Sequence, residues 1–230
     1  MNLLALETST DQCSVALWCD GALLTRSLHA PRRQAEILLP MFDEVLAESG
    51  ITRGQLDGIA FGRGPGAFTG VRLAVSVAQG LALALDRPVL PVSTLAALAL
   101  AAPAAAPCVL AVLDARMGEV YAGAFRRAAA AVLDPLGAET VGAAAVLDVP
   151  AAPTWFGVGS GWAVHAEALG RRLGAAVLAG IDAAAVPEAV QVARLAAPAL
   201  AAGDGVRADQ ALPVYLRDKV ALTRTERGVA

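Results

Sequence analysis

A glycine-rich run at 62–72 is the part of the sequence whose residue types and spacing best suit the binding of an anion. It follows a short apolar strand and opens a long apolar helix predicted for 71–85. Glycine permits tight turns and close approach to a ligand, and the free N–H groups at a helix N-terminus attract anions. Thr69 or Gly70 is the predicted helix cap. The candidate contacts for an anion or a nucleotide are Thr8, Ser9, Gly64, Gly66, Thr69 and Arg72.

The run differs from established phosphate loops in ways that favour a structural turn. A P-loop requires Lys and then Ser or Thr after its last glycine, whereas Gly70 is followed by Val71 and Arg72. A dinucleotide-binding fingerprint requires another glycine spacing and an acid about 20 residues later. We therefore interpret the run first as a turn and keep the anion contact as the alternative.

The polar turn at 7–11 carries two carboxylates and three hydroxyls directly after the first apolar strand. This composition suits a phosphate or magnesium loop, but Ser and Thr hydroxyls also form local hydrogen bonds in ordinary turns. We favour the ordinary turn. In the alternative, Glu7, Thr8 and Asp11 act together with a second glycine turn at 157–161, and the protein is a nucleotide-binding phosphotransferase.

The remaining reactive side chains form no recognisable site. Neither His29 nor His165 has another ligand at metal-binding spacing. Cys13, Cys19 and Cys108 are too few and too scattered for a zinc site or a disulfide framework. The sequence therefore predicts no metal and no catalytic residue.

Net charge and hydropathy limit which kinds of partner the protein is expected to bind and where in the cell it is expected to act. The net charge of −3 argues against a protein that grips nucleic acid by itself, because such binding depends on neutralising phosphates. The N-terminus shows no leader pattern, and no uninterrupted apolar stretch reaches the roughly 20 residues needed to span a bilayer. We expect a cytoplasmic protein with no membrane contact.

The elements that must position these residues can be read from hydrophobic periodicity. Strands at 3–6, 13–19 and 22–28 form a meander whose second turn is Asp20-Gly21, a hairpin signal. An amphipathic helix is predicted at 34–49. Further strands are predicted at 57–61 and 89–92, and short helices at 94–102, 164–173 and 190–202.

A second copy of the opening pattern suggests internal duplication. An apolar strand at 109–113 leads to Asp114, a polar turn and a returning strand at 119–125. The proline- and alanine-rich segment 103–107 resembles a linker between two units. We therefore divide the chain into 1–104, which holds the two long helices, and 105–230, whose last helix packs back on the first unit.

Several motifs together resemble the TsaB family, the small subunit of the bacterial tRNA threonylcarbamoyladenosine machinery. The most specific is Gly-Pro-Gly-Ala-Phe-Thr-Gly-Val-Arg at 64–72. The other matching segments lie at 4–9, 79–82, 91–95, 114–116, 118–121 and 215–217. They cover nearly the whole chain, and the segment 128–153 matches least.

The resemblance implies an α/β, actin-like fold of two RNase H-like lobes, each a mixed central sheet flanked by helices. It also implies a catalytic paralog, TsaD, with a His-x-x-x-His metal motif. The corresponding positions here are Thr94 and Leu98, which cannot replace those ligands. A third alternative, a metallopeptidase-like protein, is disfavoured for the same reason.

The same resemblance implies a non-catalytic scaffold that pairs with TsaD and is joined by the ATPase TsaE. The complex transfers a threonylcarbamoyl group to N6 of the adenosine beside the anticodon of tRNA. This subunit is expected to hold no cofactor tightly, with ATP or ADP at a shared interface, and to form a homodimer when alone. The alternative phosphotransferase has the same fold.

The two long helices are the predicted pairing surface, because they carry more apolar residues than a small lobe can easily cover. A small-residue stripe at Ala74, Ala78 and Ala82 is expected to permit close approach of a partner helix. The candidate interface residues are Ile37, Met41, Val45, Leu73, Ala74, Val77, Ala78 and Leu81.

Overall fold

The computed structural model of this chain describes residues 1–174 and 176–217. The first half contains β1 (Asn2–Glu7), β2 (Gln12–Cys19), β3 (Ala22–His29), α1 (Gln34–Ser49), β4 (Gly58–Gly62), α2 (Phe68–Leu85) and β5 (Val89–Val92). Helix α3 (Thr94–Leu100) completes the first half, and the second half contains β6 (Cys108–Asp114), β7 (Glu119–Ala129), β8 (Val132–Pro135), β9 (Thr140–Ala143), β10 (Thr154–Val158), α4 (Ser160–Leu173), β11 (Val177–Asp182) and α5 (Ala189–Ala202).

The first sheet has the order β3-β2-β1-β4-β5. The predicted meander is confirmed, because β1, β2 and β3 pair antiparallel in sequence. Its hairpin turn places Asp20 at φ 48° and Gly21 at φ 92°, as a type I′ turn requires. Strands β4 and β5 then run parallel to β1, which puts the loops after β1 and β4 at one edge.

The second sheet repeats this connectivity. Its order is β11-β10-β6-β7-β8, with β9 also paired to β7. Strands β6 and β7 are antiparallel, whereas β10 and β11 run parallel to β6. The predicted duplication and the actin-like pair of RNase H-like lobes are therefore confirmed. Strands β8 and β9 form within the segment 128–153, where the sequence showed little pattern.

Helices cover both faces of each sheet. Two of them, α3 and α5, each pack on the sheet of the other half of the chain. Along β1, Leu4 and Leu6 face the core shared with α1 and α2, while Leu3 and Ala5 face α5. Alternate strand residues point to opposite faces, so both faces of this strand are buried. Helix α5 therefore packs on the first sheet, and α3 packs on the second sheet. Helix α4 covers the outer face of the second sheet.

The start of α2 differs from the prediction. The helix begins at Phe68, three residues earlier than predicted, and its N-cap is Ala67, which makes no side-chain cap hydrogen bond. Thr69 and Gly70 lie inside the first turn of the helix and do not cap it. The cap predicted from sequence was wrong because a backbone contact from Ala67 to the polar turn at 7–11 fixes the start of this helix, as described below.

The inner face of α2 also corrects the predicted pairing surface. Ala74 and Ala78 are fully buried in the core of the first lobe, and Met41 and Val45 of α1 lie in the same core. These four side chains hold the two helices on their own sheet, so they are not available to a partner. Ile37, Leu73, Val77 and Leu81 are half-buried at the edge of that core.

Within the described residues, α2 is the one helix long and apolar enough to cross a membrane by length and composition. Six of its residues are buried in the first lobe: Gly70, Val71, Ala74, Val75, Ala78 and Ala82. A helix whose inner face packs in a protein core passes the same test of composition.

Candidate functional site

A cleft of about 810 Å³ lies between the two lobes. It is formed where the strands β1, β4, β6 and β10 end, and such carboxyl edges are where α/β folds usually bind ligands. The lining comes from five places. They are the polar turn at 7–11 (the first turn), the glycine-rich run at 62–72 (the glycine loop), the turn after β6, the start of α4 and the segment 214–217.

The glycine loop packs directly on the first turn. A Cβ atom added to Gly62, Gly66 or Gly70 would come within 3.0 Å of Glu7, Ser9 or Thr8, respectively. The backbone N–H of Ala67 donates to the Ser9 carbonyl at 2.7 Å, which fixes the residue preceding α2. The Thr8 hydroxyl donates to the Gly70 carbonyl, also at 2.7 Å. Gly66 and Gly70 therefore leave room for the backbone of residues 8 and 9, and Gly62 leaves room for the Glu7 carboxyl.

Only some of the predicted anion contacts reach the cleft. Ser9, Gly66 and Arg72 line it. Thr8 is fully buried against Gly70, and Thr69 is exposed but does not line the cleft.

Gly64 is also turned away from the cleft. Its N–H donates to the Thr94 hydroxyl at 3.2 Å, and the Val214 carbonyl lies against its Cα. The predicted contacts therefore do not converge as one cradle.

Glu7 is a buried carboxyl behind the glycine loop and does not line the cleft. It accepts hydrogen bonds from the Ser9 N–H at 2.6 Å and from the Thr94 hydroxyl at 3.3 Å. Among the described residues no cationic side chain pairs with it. Burial therefore raises its pKa above the usual value.

The second glycine turn likewise packs against side-chain and backbone atoms of the chain itself. Gly157 packs on Trp162, while Gly159 and Gly161 pack on Val112. The Ser160 hydroxyl accepts a hydrogen bond from the Asp114 N–H at 3.1 Å. Ser160, Asp114 and Asp11 line the cleft. No group of three or more His, Cys, Asp or Glu among the described residues is arranged to hold a metal.

The first-lobe side of the cleft mouth carries an arginine stacked with two aromatic rings. The Arg72 guanidinium lies 3.5 Å from the centre of the Phe68 ring, and its Nε donates to the Tyr215 hydroxyl at 2.7 Å. The Phe68 and Tyr215 rings are 5.5 Å apart. We call Phe68, Arg72 and Tyr215 the arginine–aromatic rim.

The second-lobe side of the mouth carries two further arginines, each held by a carboxylate. Arg217 pairs with Glu119 and lies 5.9 Å from the centre of the Tyr121 ring. Arg116 pairs with Asp114 at 3.4 Å. Sequence reasoning missed the rim because Tyr215 is far from Phe68 in the chain. The one sequence signal was the family motif at 215–217.

The contact between Ser9 and Gly66 predicts that two glycine-to-alanine changes will have opposite effects on the free energy of unfolding. In Gly66→Ala the new methyl group meets the Ser9 carbonyl at 2.5 Å, so we expect a loss of about 1–3 kcal/mol in the free energy of unfolding. Gly80→Ala lies in the α2 interior with nothing within 4 Å, and we expect a gain of about 1 kcal/mol. Urea denaturation of both variants measures the difference, and equal stabilities would contradict the packing described here.

The buried carboxyl predicts a pH dependence of stability. The unfolded chain releases the Glu7 proton at its ordinary pKa, whereas the folded chain retains it to higher pH. Stability should therefore fall as pH rises from the ordinary to the raised pKa, by about 1.4 kcal/mol for each unit between them. Glu7→Gln should remove this fall, whereas Glu44→Gln, at an exposed ion pair with Arg26, should retain it. Denaturation midpoints across the pH range test this, and an unchanged slope in Glu7→Gln would refute it.

Comparison with known proteins supplies relatives that match nearly the whole chain. The protein is 37% identical to the tRNA threonylcarbamoyladenosine biosynthesis protein TsaB of Escherichia coli (strain K12), over 96% of each chain. It is 38% identical to the protein of the same name from Haemophilus influenzae, over 96% of this chain and 95% of that protein.

A solved structure and a family model agree with these relatives. YeaZ from Pseudomonas aeruginosa superposes with a TM-score of 0.86 at 46% identity, covering 94% of this chain and 99% of that chain. A family model described as TsaD, tRNA N6-adenosine threonylcarbamoyltransferase, matches residues 28–224. The chain therefore belongs to the TsaB family, within the wider family that the TsaD model describes.

Proposed function

We propose that this protein is the non-catalytic scaffold subunit of the complex that forms threonylcarbamoyladenosine in tRNA. It pairs with a TsaD-type catalytic paralog through the outward face of α2. The relatives named for this biosynthesis support the process. The outward face of α2 is the observation that supports pairing.

That face is apolar and uncharged over most of its length. The sequence has no charged residue between Arg72 and Asp86. Leu83 is 79% exposed, and Leu73 and Val77 are half-buried. A surface helix normally carries charged residues on its solvent side, so this face is suited to burial by another protein.

The small-residue stripe that faces outward is shifted by two residues from the predicted one. Ser76, Gly80 and Ala84 are exposed and recur at intervals of four. A Cβ at Gly80 would have nothing within 4 Å, so a partner helix can approach the α2 backbone closely there. On α1, Leu39 is a further exposed apolar side chain, at 46% exposure.

The residues that replace the metal motif of the catalytic paralog support the absence of catalysis. Thr94 and Leu98 are both fully buried. The Thr94 hydroxyl links the Gly64 N–H to the Glu7 carboxyl, and Leu98 packs in the core beneath α3. Both positions serve the packing of this chain.

The other members of the proposed assembly follow from the family. A TsaE-type ATPase joins the pair, tRNA is the substrate of the complex, and ATP or ADP binds at an interface shared with a partner. Without its partner, the chain pairs with a second copy through the same face. The proposed place of action is the cytoplasm, where the tRNA substrate is found.

A charge placed on the outward stripe should prevent pairing without unfolding the protein. Gly80→Arg introduces a long cation into open space, so the monomer should fold, while the catalytic paralog should no longer co-elute in size-exclusion chromatography. Threonylcarbamoyladenosine in tRNA should fall to the level of a deletion strain when this variant is the rescue copy. Normal modification in the deletion strain itself would defeat the proposed function.

Two matched changes separate loss of pairing from loss of folding. Gly170→Arg makes the same change at an open helical position in the second lobe and should pair normally. Ala78→Arg buries a charge in the first-lobe core and should abolish folding itself, which circular dichroism detects. Co-elution of Gly80→Arg with the paralog would exclude the α2 face as the pairing surface.

The phosphotransferase alternative predicts nucleotide binding by the isolated chain, because its Asp11, Ser160 and Arg116 line an open cleft. The scaffold proposal predicts no heat of binding for magnesium-ATP, since Glu7 and Thr8 are buried away from that cleft. Isothermal titration calorimetry with the purified chain measures this. Micromolar binding, or release of phosphate, would favour the alternative.

A further inference from the structure

We propose that the arginine–aromatic rim binds an unpaired base of the RNA substrate, so that this subunit touches tRNA directly. This rests on the proposed function, because it assigns a contact to the substrate of that complex. The structural observation is the stack of Arg72 on Phe68, with Tyr215 beside both, at the mouth of a concave cleft.

The two rings offer surface on which a base can stack. Phe68 is 48% exposed and Tyr215 is 42% exposed. Burial of the Phe68 ring costs no hydrogen bond, and the Tyr215 hydroxyl already accepts one from Arg72. Exposed rings combined with arginine are the usual means by which proteins bind single-stranded RNA, since every base has a face that stacks on them.

The charge of Arg72 remains available to a phosphate. Its guanidinium is held by the Phe68 ring and the Tyr215 hydroxyl, and no carboxylate in residues 1–174 and 176–217 forms an ion pair with it. Arg116 and Arg217 differ, because each already pairs with a carboxylate of the chain. The rim therefore presents one unneutralised cation beside two stacking surfaces.

The cleft behind the rim can enclose a base. Its volume of about 810 Å³ is within the range of small-ligand sites. Val164 and Val186 form part of an apolar wall, and Gln12 and Ser160 supply polar groups for a base edge.

The charge of the whole chain indicates which RNA the rim selects. With a net charge of −3, the protein gains little from the phosphate backbone of a duplex, whose binding depends on many cations. Stacking on two rings depends much less on charge. The rim should therefore prefer unpaired bases, and the salt dependence of binding should be shallow.

A protein segment is the other class of partner that arginine and aromatic residues suit. The apolar outward face of α2, from Leu73 to Ala84, already provides a convex surface for pairing. The rim lies at the mouth of a cleft, where a planar base can enter between the two lobes. The geometry therefore favours RNA at the rim and protein on α2.

The test is photocrosslinking in the purified heterodimer with the catalytic paralog. An unmodified anticodon stem-loop RNA carrying 4-thiouridine in its loop is irradiated with the complex, and crosslinked peptides are identified by mass spectrometry. We expect crosslinks on peptides that contain Phe68 or Tyr215. Phe68→Ala and Arg72→Gln should each reduce their yield about tenfold, as loss of one stacked base implies.

Arg53→Gln is the matched control. Arg53 is another exposed arginine near an aromatic ring, 5.6 Å from the centre of Phe42, but it lies outside the cleft. It changes the net charge by the same amount and should leave the crosslink yield unchanged. A fully paired hairpin RNA and free magnesium-ATP should not compete for the crosslink.

Each adverse result has a distinct meaning. If the wild-type heterodimer gives no crosslink at these peptides, or if Arg53→Gln lowers the yield as much as Arg72→Gln, the RNA contact is refuted while the pairing stands. If magnesium-ATP removes the crosslink, the site belongs to a free nucleotide. If Phe68→Ala loses the paralog but retains RNA, the rim is a protein interface. If no heterodimer forms with the unmodified chain, the proposed function itself fails.

Discussion

The contact on which the first lobe depends is the packing of the turn after β1 on the glycine loop. The Ser9 carbonyl accepts the Ala67 N–H, and the missing side chain of Gly66 leaves room for Ser9. That one contact sets where α2 starts, and the direction of α2 sets both its apolar outward face and the position of Phe68 and Arg72. The glycines have the sequence pattern of an anion-binding loop, but in the structure they allow the close packing that connects a strand to a helix.

Much of the fold could be predicted because it follows local rules. The hairpin at Asp20-Gly21, the helix at 34–49 and the repeated strand, acid and turn at 109–125 are confirmed. The side of α2 that faces outward could not be predicted, because the helix has small or apolar residues all round. Ala78 and Gly80 look equivalent in sequence, and only packing on the first sheet buries one and exposes the other.

The site was less predictable than the fold for a similar reason. The polar turn at 7–11 has the composition of a ligand loop, yet Glu7 and Thr8 face inward while Ser9 and Asp11 line the cleft. The direction in which each side chain of a turn points depends on the backbone dihedral angles, and amino-acid composition does not determine those angles. The rim joins Phe68 to Tyr215 across the whole chain, and no periodicity reports such a distant pair.

The exchange of α3 and α5 between the lobes has a consequence for synthesis on the ribosome. The inner face of the first sheet, with Leu3 and Ala5, is covered by α5, which ends at Ala202. The five strands of that sheet have all been made by Val92. One apolar face of the nascent first lobe is therefore left uncovered by α5 while the entire second sheet is translated. That face is covered only by α5, the last α-helix among the described residues.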